Sequence, residues 1–199
     1  MEDYRAVLDS VALEKGVVAA APTVEAKLVI ATKEGLDGVM VWGVDPASFG
    51  QVSELTQHLR YDESGELHLN RRPGQKYAGI VLGVQLAYRM GVGIGDEIML
   101  LTMQDMKLED MMMGGVSPRL ERFIVTDLFE SGMYHYDDTL AFISLSEAQR
   151  ILTMGDAVSA IHLRVADLEE AIAVKERLAD RIGYPYRFKD WTEEFPALF

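Results

Sequence analysis

The sequence predicts an α+β fold in which helix-and-strand pieces at the two ends enclose a strand-rich middle. Three observations carry this. Apolar residues recur at helical spacing near both ends, at Tyr4, Val7, Leu8 and Val11 and again at Leu168, Ala171, Ile172, Leu178 and Ile182. Alternating apolar and polar residues mark a half-buried strand over 24–30 and another over 160–165. Between residues 77 and 153 strand signals dominate, at 80–82, 97–102, 123–129 and 140–143. At 199 residues with 49% hydrophobic content, the chain can bury a substantial core.

In order along the chain, the first helix should stop at Gly16, where a glycine supplies the left-handed closing residue. An apolar run at 17–21 should end at Pro22, before the strand in which Val24, Ala26, Leu28 and Ile30 alternate with Glu25, Lys27 and Val29. Turn chemistry over 33–38 then leads into a hairpin partner at 39–44. Pro46 and Gly50 weaken the pattern, a short helix is expected over 52–59, and 62–65 reads as a turn. Arg71, Arg72, Pro73 and Gly74 mark a boundary before a new unit at Tyr77.

That unit begins with the strand at 80–82 and a short helix over 84–90 closed by Gly91, after which residues 91–96 feed the strand at 97–102. Residues 130–138 are rich in turn formers. Ser144 and Glu147 have capping-box spacing, with Leu145, Ala148, Ile151 and Leu152 facing inward on the helix they open. Asp167 and Glu170 repeat that spacing before the final helix, which should end at Gly183, and 186–188 reads as a last short strand. The division is therefore 1–76 with 154–199 as one subdomain and 77–153 as an insert.

Several functions are disfavoured by composition. No cysteine is present, which excludes disulfides, thiolate zinc sites and a cysteine nucleophile. A net charge of −13 argues against nucleic acid as a partner, since phosphate binding needs clustered Lys and Arg. An acidic surface of this kind suits ordinary solubility, or a basic or amphipathic protein partner. No apolar run approaches the roughly 18 residues of a membrane span, and no signal peptide opens the chain, so the bare sequence looks cytosolic.

Candidate chemistry is sparse. His58 and His68 flank Asp62, Glu63 and Glu66, but their spacing matches no helical or hairpin metal pair. His135 precedes Asp137 and Asp138 in turn-forming sequence, where aspartates usually bond their own backbone, and His162 alternates within a strand. Gly91, Gly93 and Gly95 follow a helix and open a strand, the reverse of a phosphate-binding loop. No catalytic residue, cofactor or metal site is expected.

The outstanding feature is Met103, Met106, Met111, Met112 and Met113, interrupted by Asp105, Lys107, Glu109 and Asp110 and followed by Gly114, Gly115, Ser117 and Pro118. Core filling, a soft contact surface for protein or lipid, and copper(I) ligation by thioethers all suit methionine. Its charged and turn-forming neighbours favour a loop or hairpin tip that exposes apolar side chains to a partner.

In sequence order, residues 79–83 (Gly-Ile-Val-Leu-Gly), 86–96, 123–134 and 139–152 resemble the periplasmic domain of LolC/LolE-type lipoprotein-releasing ABC-transporter permeases, relatives of MacB and FtsX. Residues 18–22, 42–46 (Trp-Gly-Val-Asp-Pro) and 191–199 add to the match. The resemblance implies a MacB-like periplasmic core: a porter-like subdomain from 1–76 and 154–199, an inserted strand-rich subdomain at 77–153, and flanking transmembrane segments. It moves the expected location to the periplasmic face of the inner membrane.

The partners it implies are a cytoplasmic ATPase subunit, which would hydrolyse the ATP, a second permease subunit, a periplasmic lipoprotein carrier and the lipoprotein cargo. By position, residues 103–121 take the place of the projecting hairpin that binds the carrier in LolC-like members. Pro118 and Arg119 resemble the end of that segment, whereas Met111, Met112 and Met113 depart from the family pattern. The alternative is another MacB- or FtsX-type permease that couples ATPase motion to an adaptor, a channel or a cell-wall hydrolase. A free-standing enzyme or metal-binding domain would require a convergent polar pocket.

Overall fold

The computed structural model describes residues 1, 3–102 and 119–190. Seven strands form one sheet: β1 (Val17–Ala31), β2 (Leu36–Val44), β3 (Ala78–Gly83), β4 (Glu97–Thr102), β5 (Arg119–Phe129), β6 (Leu140–Ser144) and β7 (Ala160–Val165). The helices are α1 (Tyr4–Ala12), α2 (Pro46–Val52), α3 (Val84–Arg89), α4 (Tyr134–Thr139), α5 (Leu145–Ile151) and α6 (Ala171–Ile182). None of the described helices is long and apolar enough to cross a membrane.

The sheet runs β2-β6-β3-β5-β4-β1-β7, and β2 also pairs with β1, so six strands close into a ring. Closure is possible because β1 is long. Its residues 17–23 pair with β7, 23–31 with β2, and 29–31 with β4. The stretch 77–153 supplies β3 to β6 and the chain ends supply β1, β2 and β7, so strands from both sides of the turn at Arg72–Gln75 share this sheet.

Pro22 does not end the strand, contrary to expectation. The Thr23 carbonyl accepts from the Ser159 amide on the β7 side. Strand alternation therefore turns position 22 toward the opposite edge, where pairing with β2 begins at Thr23, and a missing N–H costs nothing there.

Alternation also sorts the core. Ile80 and Leu82 of β3 and Ala141 and Ile143 of β6 join Val24, Leu28 and Leu100 in the largest cluster. Val81, Leu140 and Phe142 face the other way, under Phe49 of α2 and Leu67 and Leu69 of the following loop. Helix α5 lies so close on β2 that a Cβ at Gly43 would stand 2.2 Å from the Ala148 Cβ. Helix α1 packs on α6 through Val11, Val174 and Leu178.

Four local expectations are corrected. The helix expected over 52–59 lies earlier, because Asp45 accepts from the Ser48 amide and places Pro46 in the first turn, leaving a 3-10 turn at Leu55–His58. The turn-rich stretch 130–138 contains most of α4, anchored by buried Asp137, which accepts from the Ser131 amide and hydroxyl. Leu168 and Ile172 are exposed, since the final helix opens as a 3-10 turn and its buried stripe starts later, at Val174 and Leu178. Residues 186–188 are not a strand; the Tyr186 amide closes a turn on the Gly183 carbonyl.

Glu14, at the end of α1, is buried between Arg177 Nε at 2.7 Å and Arg181 Nη1 at 2.8 Å. The hydrogen bond from Arg177, reinforced by the charge of Arg181, holds its carboxyl below the usual carboxylate range. Its stabilising effect is therefore present above the ordinary carboxylate pKa and is lost as pH falls through the depressed value. Urea midpoints measured from pH 7 to pH 3 should fall less steeply for Glu14→Gln than for the parent chain. Parallel curves would exclude this clasp as an acid-sensitive contact.

Candidate partner-binding hairpin

Residues 91–96 position the hairpin. Gly91 and Gly95 adopt positive φ, the Asp96 carboxylate accepts from the Gly93 amide at 2.8 Å, and the Gly95 amide donates to the Val125 carbonyl at 2.8 Å. Ile98 and Leu100 alternate inward along β4, opposite Phe123 and Glu121 of β5. The antiparallel register runs from Glu97 with Ile124 to Thr102 with Arg119, so residues 103–118 join the ends of a paired ribbon.

The outward face at the ribbon's end is apolar. Leu101 pairs with Leu120, which is 54% exposed, and Val29 of β1 pairs with Leu101 on its other side. On the opposite face, Arg150 of α5 donates to Glu121 through both terminal nitrogens at 3.0 and 2.9 Å. The same guanidinium reaches Glu147 at 2.7 Å. This bidentate pairing lowers the Glu121 pKa, with the charge of Arg119 adding to the effect, and raises that of Arg150. Further down, Arg122 lies 3.6 Å from Glu97 and donates to the Tyr77 hydroxyl at 3.4 Å.

Arg119 is thus exposed at the base of the hairpin, beside the Arg150 clamp. Met111, Met112, Met113 and Pro118 lie outside the described residues. Sequence reasoning missed the clamp. Glu147 and Arg150 show the spacing of a helical ion pair, but nothing local announces that Glu121, 29 residues away, completes it.

The histidines do not converge. His68 pairs with Asp62, whose carboxyl is held low first by the Ser64 hydroxyl and then by the Ser64 amide. His162 contacts Glu25 at 2.9 Å and packs on Trp42, His58 lies on the 3-10 turn, and His135 lies on α4. Among the described residues no group of three or more potential ligands could hold a metal ion.

Comparison with known proteins assigns the family. Residues 1–181 match the MacB-like periplasmic core domain, and the chain belongs to that family. It is 31% identical over 199 residues to the lipoprotein-releasing system transmembrane protein LolC of Xylella fastidiosa, covering 100% of this chain and 45% of the relative. The LolC protein of Neisseria meningitidis is 28% identical over 200 residues, covering 99% of this chain and 45% of the relative. The chain therefore spans about half the length of these curated relatives.

Solved structures share the fold at low identity. The extracellular domain of the noncanonic ABC-type transporter YknZ from Gram-positive bacteria aligns with a TM-score of 0.52 at 10% identity, over 92% of this chain and 83% of that one. The periplasmic region of MacB from Actinobacillus actinomycetemcomitans aligns with a TM-score of 0.52 at 9% identity, over 90% and 74% of the two chains. The chain is a periplasmic domain of the LolC/MacB permease type.

Proposed function

We propose that this domain serves lipoprotein release: it receives motion from a cytoplasmic ATPase subunit through membrane segments, pairs with a second permease subunit, and hands cargo to a periplasmic carrier. The observation that carries the reading is the antiparallel β4–β5 ribbon, whose ends are joined by residues 103–118 and whose last outward pair sets half-buried Leu101 against exposed Leu120. LolC names on relatives that match the whole chain support the same branch.

In this reading Met111, Met112 and Met113 supply soft apolar anchors, which re-pack readily against a partner and can dominate a small interface. Pro118 and Arg119 complete the contact, Arg119 as a directional donor. The domain itself performs no chemistry; ATP is hydrolysed in the separate subunit. A MacB- or FtsX-type permease that meets an adaptor, channel or cell-wall hydrolase is the alternative, favoured by the structural likeness to the MacB periplasmic region.

Calorimetry of the domain with the periplasmic lipoprotein carrier of the same organism tests the reading. Saturable binding is expected, weakened at least tenfold by simultaneous Met111→Ser, Met112→Ser and Met113→Ser, with the melting temperature unchanged. Absence of binding by the parent domain would transfer the assignment to the alternative permease branch.

A further inference from the structure

Four large apolar side chains stand exposed where α1, β1, β7 and α6 meet: Leu13 (84%), Val18 (62%), Leu168 (56%) and Ile172 (48%). They are gathered by a small set of contacts. The Ala166 amide donates to the Gly16 carbonyl at 2.8 Å, Val17 pairs with Val165, and a Cβ built at Gly16 would lie 3.2 Å from Val174 and 3.5 Å from a Glu170 carboxylate oxygen. Val18 and Leu168 lie two residues from the Gly16–Ala166 bond, Leu13 lies three, and Ile172 is two beyond Glu170.

Exposure here follows from backbone geometry. Val18 falls at the register shift between Val17 and Ala19, Leu168 opens the 3-10 turn that precedes α6, and Ile172 lies on α6 away from its buried Val174 and Leu178. The cluster lies about 35 Å along β1 from Val29, where β1 meets the hairpin strand, at ~3.3 Å per residue. It is a surface separate from the hairpin.

Its rim carries more acid than base. Asp167, Glu169 and Glu170 are exposed beside Leu168; of the neighbouring cations, Lys15 is exposed and Arg177 is engaged by Glu14 and the Lys15 carbonyl. We propose that this surface docks a basic amphipathic protein segment, whose apolar side chains cover Leu13, Val18, Leu168 and Ile172 while its Lys or Arg residues meet Asp167, Glu169 and Glu170. A second copy would set acidic rim against acidic rim, and an anionic bilayer would be repelled likewise.

The test is a nuclear magnetic resonance titration of the ¹⁵N-labelled domain with a helical Leu/Lys peptide, and with the same peptide carrying Glu in place of Lys. Saturable shifts are expected at amides 13–18 and 166–173 with the Lys peptide alone, weakening as salt rises. Leu168→Ser with Ile172→Ser should weaken binding at least tenfold without change in melting temperature, and Glu169→Lys with Glu170→Lys should abolish it in a domain that stays folded, with the melting temperature lowered by a few degrees at the helix start. Shifts spread over other acidic surface, equal response to the Glu peptide, self-association through these residues, or preferential binding to anionic vesicles would each overturn the proposal.

Discussion

Gly43→Ala should destabilise the domain by about 3 kcal/mol, the upper part of the range for overpacking, and lower its melting temperature by roughly 6–12 °C for a chain of this size. The added Cβ would meet the Ala148 Cβ at 2.2 Å, with Val24 Cβ and Ala148 Cα at 3.5 and 3.6 Å. The obstructing atom is fixed to the α5 backbone and cannot swing aside. Helix α5 would have to lift from β2, opening the cluster that contains Ala148, Ile151 and Leu152. Removing that atom supplies a compensating variant: Gly43→Ala combined with Ala148→Gly should recover all but about 1 kcal/mol, the remainder reflecting glycine in a helix. Differential scanning calorimetry of the two singles and the double closes the cycle. A double variant no more stable than Gly43→Ala would show that the helix–strand approach is not what limits residue 43.

This contact illustrates which features were legible in the sequence. Strands β3 to β6 and helices α3 and α5 follow from local patterns: alternation, a glycine closing α3 at Gly91, and the Ser144 cap, whose hydroxyl accepts from the Glu147 amide. Its carboxylate partner departs from the expected box, since Glu147 binds Arg150 instead. Ring closure was not legible. It depends on three β1 residues, Val29 to Ala31, finding Leu101 to Met99 far along the chain, and no local signal specifies that partner. Helix α2 was placed late because its single buried residue, Phe49, gives no apolar period, while the informative signal was the Asp45-Pro46 start.

The hairpin shows the same division. The two strands that flank it were readable from alternation, and their antiparallel pairing ends at Thr102 and Arg119. Its anchoring was not, because the Glu121–Arg150 pair joins β5 to a helix on another part of the ring. Long-range polar contacts of this kind are fixed by topology, so they become visible when strands are already placed.

Asp127 is the strongest case of such a contact, and its loss should cost about 2–3 kcal/mol. It is buried on β5 and accepts from the Tyr61 amide at 3.2 Å and the Asp62 amide at 2.8 Å. These bonds hold the segment after the 3-10 turn against the sheet, together with the Arg60 amide on the Leu128 carbonyl and the Glu130 amide on the His58 carbonyl. Beneath the strap lie Leu67, Leu69, Phe129 and Phe142. Asp127→Ala removes the acceptor of these two amides, at roughly 1.5 kcal/mol each, the low end for bonds to a charged acceptor. Asp127→Asn keeps one acceptor oxygen and should cost about half as much. Hydrogen exchange separates local from global effects: Tyr61 and Asp62 amides should lose at least tenfold protection in Asp127→Ala beyond the change seen at Ile98 and Leu100. Uniform loss across all four amides would mean that Asp127 supports the whole ring rather than the strap.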